Sequence, residues 1–303
     1  GDDEGDTGDD DEGDTGAPEC AVATMTPAGP LEDGMMDFFY RDSIMFSVDA
    51  HDPTASLVVT HEDTAIDGEV TWSESLDSIQ FSPTTPLSPS SPYEATLTTC
   101  AGELTVAFST SAIGTPLESP VSLIGSTYSM DIEESRFVSP ASVGALFSSI
   151  IRSPLLLGVT GIDDETLGLI TAPSLVGDSS EQDTCEATAE FTASLVESPF
   201  FRTGLGRLNM GTTTTGLTTI LEEAYFSGVF AADGGLIGGG TLGGMLDTRG
   251  WGALFGGGGD SADAACEFVA TFGGLCEPCP TDGEPYCTEI QIDQIPAERV
   301  DET

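Results

Sequence analysis

From Pro18 to about Ala112 the sequence reads as short β-strands broken by Pro, Ser and Asp, and that rhythm decides what this part of the chain can become. SIMFSVDA (Ser43–Ala50) alternates apolar and polar side chains, ASLVVTHED (Ala55–Asp63) is β-branched, and YEATLTT (Tyr93–Thr99) and ELTVAFSTS (Glu103–Ser111) follow, joined by a short Gly-containing turn. GEVTWSESLDSIQFSP (Gly68–Pro83) holds two such runs around a turn. In an extended chain successive side chains point to opposite faces, so each run has an apolar side and a wet side. Clusters of Pro, Ser and Asp separate the runs and mark turns. No short strand can bury its apolar side alone. The pattern therefore predicts an all-β sandwich over residues 18–112.

Beyond a Pro/Ser/Thr-containing connector at 113–120 the composition shifts towards Gly and Leu. STYSMDI (Ser126–Ile132), LLLGVTGI, TLGLITAPSL and TAEFTASLV (Thr188–Val196) read as strands. Tyr225–Ala231 and Leu236–Asp247 read as a hairpin around ADGG, and TEIQIDQI as a final strand. SPASVGALFSSIIR (Ser139–Arg152) is predicted as a helix: Ser139 can cap it, Pro140 suits its first turn, and Val143, Leu146, Phe147 and Ile150 share a face. DSADAACEFVATFGG (Asp260–Gly274) is predicted as a second helix ending in Gly. The fold class is mainly β, an Ig-like sandwich followed by a second antiparallel β-rich domain, 121–303, with two helices.

The text of the first domain resembles a known family. Trp72-S-E-S-L-D-S-I-Q-F-S-P, then Pro86-L-S-P-S-S-P-Tyr93-E-A-T-L-T, then Leu104-T-V-A-F-S-T110 is similar to bacterial Ig-like domains of the Big_5 type. Ile79, Phe81, Pro83, Leu87, Pro89, Tyr93 and Phe108-Ser109-Thr110 fill that family's places. The resemblance implies that Tyr93 is a tyrosine-corner residue with its ring in the core. It also implies a spacer or adhesive module on an exported protein, without catalysis. Cys20 and Cys100 depart from the family pattern; they fall at the start of the first strand and the end of a late one, where a staple between them is expected. The second half, through Phe226-S-G-V-F-A-A-D-Gly234, Gly238-G-G-T-L-G-G-M-L-D-T-Arg249 and Cys276-E-P-Cys279, resembles predicted lipoproteins of myxobacterial-type bacteria. That likeness speaks to location and assigns no activity.

Charge narrows the function. The chain has 303 residues, 52 acids, seven Arg and no Lys, for a formal charge of −45. Phosphate contacts need Lys/Arg patches, so nucleic acid is excluded as a partner, and so is a direct electrostatic hold on anionic lipid. A Walker-type phosphate loop requires a Lys that does not exist here. Nine of the acids lie in the first sixteen residues, where DDEGDTG occurs twice. Residues 1–17 are expected to be a disordered acidic tether, because low hydrophobicity and dense like charge cannot offset ordering entropy. Asp10, Glu12 and Asp14 have calcium-loop spacing, but Thr15 stands where such a loop needs Gly, which leaves only loosely bound calcium and no cofactor. The segment resembles the spacer that follows the lipidated Cys of bacterial lipoproteins. An inferred N-terminal lipid is then the only membrane attachment, and the protein is expected to be exported, to the outer membrane, cell surface or periplasm, with a cell-envelope or extracellular partner. So acidic a surface also fits a halophilic source.

His51-Asp52 and His61-Glu62-Asp63 lack the second His of a zincin helix and read as surface loop residues. Gly238–Gly243 spells G-x-G-x-x-G, but the sequence runs on as strand where a dinucleotide site requires a helix. Carboxylate pairs at Glu133-Glu134, Asp163-Asp164-Glu165 and Glu222-Glu223 read as solvated surface. Cys185, Cys266, Cys276, Cys279 and Cys287, with Cys20 and Cys100, make seven cysteines, so at least one is left over. A single C-x-x-C, its Cys279 flanked by Pro278 and Pro280, favours disulfides over a zinc ribbon or a redox helix. No catalytic residue emerges. The sequence thus points to a non-enzymatic binding or assembly module on an Ig-like spacer. The alternatives are a carrier of an apolar small molecule or lipid in the second domain, and a carboxylate- or His-dependent hydrolase.

Overall fold

The computed structural model describes residues 20–132, 135–140, 154–163, 165–175, 177–212, 218–252, 262–271 and 273–300. The acidic segment 1–17 lies outside them, as does nearly all of the helix expected over Ser139–Arg152. The chain divides into two compact units, one built from residues up to Leu87 with Ser91–Thr110, the other from Ser111 onward.

The first unit holds nine strands: β1 (Met25–Ala28), β2 (Met35–Phe38), β3 (Ile44–Val48), β4 (Ser56–His61), β5 (Thr64–Ala65), β6 (Gly68–Trp72), β7 (Ser78–Pro83), β8 (Pro92–Thr99) and β9 (Gly102–Thr110). They form a four-stranded sheet in the order β1-β3-β7-β6 and a five-stranded sheet in the order β2-β9-β8-β4-β5. With β2 lettered A′, β5 lettered C′ and the other seven strands A to G, this is the immunoglobulin arrangement, ABED facing A′GFCC′. Only β2 runs parallel to its neighbour, β9. The alternation read from the sequence is visible in the burial: Ile44, Phe46 and Val48 of β3 face in while Met45 and Ser47 do not. Phe38, Ile44, Phe46, Val59, Ile79 and Leu97 are fully enclosed between the sheets. Tyr93 lies in the core near the start of β8, its ring stacked on Phe108 at 5.6 Å.

The second unit contains β10 (Thr127–Met130), β11 (Arg136–Ser139), β12 (Leu155–Asp163), β13 (Thr166–Leu175), β14 (Asp178–Gln182), β15 (Ala189–Ser194), β16 (Phe200–Thr203), β17 (Gly206–Thr212), β18 (Thr218–Phe230), β19 (Leu236–Asp247), helix α1 (Ala262–Thr271) and β20 (Cys287–Val300). Strands β10-β12-β13-β15-β16-β18-β19-β20 pair in that order, and β20 pairs back onto β10, so eight strands close into an up-and-down antiparallel barrel. Closure removes the free edges that an open sheet of this length would expose. β11 extends the wall along β20, β17 along β18, and β14 along β13.

Ser139 is the last residue of β11 and pairs with Gln291; the rest of the expected helix lies outside the described residues. The second expected helix is present, and it stops at Gly273, whose φ of +80° is the left-handed helix end that Gly tolerates. The connector is not slack: Leu117 packs on the barrel core and the Glu118 amide donates to the Ala232 carbonyl at 2.9 Å.

Bulges shape the wall. Pairing shifts register twice between β18 and β19 and twice between β19 and β20. Glu223 and Gln294 take positive φ there, which resets the in–out alternation of their strands. Gly240 sits where a Cβ would lie 2.6 Å from the Ile295 carbonyl oxygen, so only Gly permits that approach.

Candidate functional site

A barrel of eight strands either fills with side chains or holds one small molecule in its interior. Leu157, Leu169, Phe191, Phe226, Leu242 and Ile292, from six different strands, are almost wholly buried in one continuous cluster. Phe191 meets Phe226 edge-on at 5.2 Å, and Phe201 meets Phe230 at 4.9 Å. Trp251 joins the same cluster and donates from Nε1 to Thr219 Oγ1 at 3.2 Å; Ala265 of α1 packs there too. At the other side Tyr128 reaches the Gly234 carbonyl at 2.8 Å, and burial raises its hydroxyl pKa. The exposed positions of the wall carry Glu190, Thr192, Glu289 and Glu298, the inverse of a lipid-facing barrel.

A groove of about 480 Å³ lies outside the wall, where β14 folds across β12 and β13. Leu156, Ile170 and Ala172 make its floor, with Ser180, Glu181 and Gln182 along one side. Leu156 and Ala172 face outward yet are only 6 % exposed.

Six cysteines are paired. Cys20 bonds Cys100 with Cα atoms 5.5 Å apart, Cys266 bonds Cys276, and Cys279 bonds Cys287. Cys185 is free and exposed. The four clustered thiols are thus consumed in disulfides and cannot ligate zinc as they stand. Three disulfides belong to an oxidising, non-cytoplasmic location. Among the described residues no helix is long and apolar enough to cross a membrane.

The two histidines engage different parts of the sandwich. The exposed His51 ring stands edge-on to Trp72 at 4.7 Å. His61 is the last residue of β4 rather than a loop residue; its Nδ1 lies 2.7 Å from the Pro92 carbonyl oxygen and its ring 4.9 Å from Tyr93. Their acidic neighbours diverge. Asp52 is buried and accepts from the Thr54 hydroxyl (2.6 Å), the Cys100 amide (2.6 Å) and the Thr54 amide (2.8 Å), bonds that hold its carboxyl below the usual range. It locks the loop after β3 onto the Cys20–Cys100 staple. Glu62 and Asp63 form the exposed β4–β5 turn with positive φ. Among the described residues no three His, Cys, Asp or Glu side chains gather as a metal set.

One carboxylate is not where the sequence puts it. Glu222 is 3 % exposed, and its carboxylate accepts from the Thr281 amide at 2.8 Å, whereas Glu223 beside it is exposed. The loop closed by Cys279–Cys287 covers Glu222 and satisfies it, which local sequence cannot reveal. The same loop is clasped from β19. Arg249 donates to both carboxylate oxygens of Asp247 and to Asp282, and those acids raise the pKa of its guanidinium. Glu133, Glu134 and Asp164 lie outside the described residues. The G-x-G-x-x-G string runs through the middle of β19, and the strand continues to Asp247 where a phosphate site would need a helix N-terminus.

No family profile and no curated protein matches the chain. Among solved structures, an uncharacterized protein from Listeria monocytogenes EGD-e, crystallised with glucose, magnesium and calcium, is similar at 11 % identity and a TM-score of 0.18. The match covers 69 % of this chain and 20 % of that one, so the chain spans about a fifth of that structure. A likeness at this level carries no functional information.

Proposed function

We propose that this is an exported cell-envelope protein without catalytic chemistry, in which an Ig-type sandwich acts as spacer and the barrel unit binds a partner through its outer surface. The N-terminal acidic segment serves as a tether to a lipid anchor on the outer membrane or cell surface. The observation that supports this most is the filled barrel: side chains from all eight strands of the closed ring occupy the volume a carrier would keep open. The sandwich supports a spacer role, stapled by Cys20–Cys100 across a sequence separation of 80. The acidic surface, without any Lys, supports a cationic or neutral partner.

One observation favours a second reading, carriage of an apolar small molecule, in the outer-wall groove floored by Leu156, Ile170 and Ala172. Native mass spectrometry of the protein taken from its own envelope separates the two. The binding-module reading predicts the chain, with a lipid-sized increment, in complex with another protein. A stoichiometric small molecule on the isolated chain, released on denaturation, would establish the carrier instead.

A further inference from the structure

The sandwich has four edge strands, and three of them are blunted. β1 carries Pro27, β2 shifts register against β9 within four residues, and β5 is two residues long. These are the usual devices that stop a sheet edge from pairing with another chain. The fourth edge, β6, has none of them. Gly68–Trp72 pairs with β7 over five residues without a register shift and contains no Pro. Its residues Gly68, Glu69, Val70 and Thr71 are all exposed.

The ladder phase tells which groups are free. Ser73 donates to Ser78 O, and Thr84 donates to Asp67 O, at the two ends of the β6–β7 pairing. Antiparallel bonding alternates, so Glu69 and Thr71 face β7, while the N–H and C=O groups of Gly68, Val70 and Trp72 face outward. The side chains add a second sign. Val70 stands opposite the buried Phe81 and Trp72 opposite the buried Ile79, so both belong to the core-facing side. Val70 is nevertheless 41 % exposed, because the core ends at this edge with no further strand to cover its flank.

Charge selects the occupant. Asp67, Glu69, Glu74 and Asp77 lie on or next to β6, in a chain of net charge −45. A second copy would bring the same acids edge to edge. With Val70 on the two-fold axis, the two Glu69 side chains would stand diagonally across the new ladder, within about 8 Å. We propose that β6 accepts an antiparallel β-strand from a different protein, an extended segment in which apolar residues alternate with Lys or Arg. Its apolar side chains cover Val70 and Trp72 on the core-facing side. Its basic ones meet Glu69 and the flanking acids on the outer face. Main-chain bonds to Gly68, Val70 and Trp72 supply the register. The inference rests on the binding-module reading and names the kind of partner for it.

The test uses the full chain and a synthetic ten-residue peptide of alternating Val and Lys, followed by amide hydrogen exchange resolved by residue. The expected result is that exchange at Gly68, Val70 and Trp72 slows at least tenfold with peptide, while Glu69 and Thr71, already bonded to β7, change little. Val70→Pro removes one outward donor without touching the β7 bonds, and should weaken binding at least tenfold while leaving the thermal transition in place. Should that variant fold poorly, Glu69→Lys gives the same loss by charge. Unchanged exchange at the three amides overturns the proposal, as does equal binding by Glu69→Lys. Protection of the same amides in the protein alone, rising with its concentration, would replace it with self-association. None of these results bears on whether a whole-envelope partner is captured, which native mass spectrometry decides separately.

Discussion

Replacing Cys20 and Cys100 together by Ser should destabilise the sandwich far more than opening either short loop destabilises the barrel unit. The bond joins positions 80 residues apart, whereas the other two disulfides span separations of 10 and 8. Cross-linking lowers the entropy of the unfolded chain with the logarithm of loop length, which gives about 4.5 kcal/mol for the long loop and about 2.7 kcal/mol for each short one. The folded contacts around the staple survive the substitution. Asp52 still receives the Cys100 position's amide, and Asp49 still accepts from Ala23 and Thr24 at the other end. The loss should therefore come almost wholly through the unfolded state. For a unit of this size each kcal/mol moves the transition by roughly 4–8 °C, so the sandwich transition should fall by roughly 20 °C or more. Differential scanning calorimetry of the whole chain reads this directly, because the two units should unfold in separate transitions. The barrel transition should stay within about 2 °C of its starting value, since the change lies outside that unit. A sandwich transition that moves less than that of the Cys266/Cys276 double variant would refute the loop-entropy reasoning.

Two single substitutions and the pH dependence of stability give further outcomes. Glu222→Ala should cost about 2–3 kcal/mol in urea unfolding, since it strands the Thr281 amide beneath the disulfide loop, while Glu222→Gln, which keeps an acceptor, should cost under about 1 kcal/mol. Gly240→Ala should destabilise the barrel unit by more than about 2 kcal/mol and lower its calorimetric transition, because the clash is with the backbone of β20 and no rotamer relieves it. Stability measured by urea unfolding should change little as pH falls from 7 towards 5. It should then drop below about pH 4: hydrogen bonds hold Asp49, Asp52, Asp77, Asp178 and Asp282 below their usual 3.8, so the stability they give exists above the unfolded value and is lost as pH falls through the folded ones.

Legibility in the sequence followed the reach of the forces involved. The alternation of β3, β4, β7, β8 and β9 is local and survives in the fold, and so do the Leu236–Asp247 strand and the Gly-terminated helix. β1 and β2 escaped because MTPA and MMDF have no alternation to read. β18 runs from Thr218, well before the predicted Tyr225, because the bulge at Glu223 puts Leu221, Ala224 and Phe226 on one side and breaks the period of two. Gln294 does the same in β20, where Ile290 and Ile292 point inward with Ile295 and Ala297. Barrel closure depends on Thr127 meeting Val300, a pairing no window along the chain can contain. The burial of Glu222 and the opening at β6 depend on what another segment covers or leaves bare.

The account rests on a barrel that is solid and works from its outside. Methyl NMR of the Leu, Ile and Val groups under xenon pressure, then with added dodecanoate, tests that most directly, since xenon enters dry apolar cavities and dodecanoate probes for a carrier site. The account predicts that the methyls of Leu157, Leu169, Leu242 and Ile292 hold their shifts in both titrations. Saturable shifts of those interior methyls at one ligand per chain would contradict it and make the barrel a container.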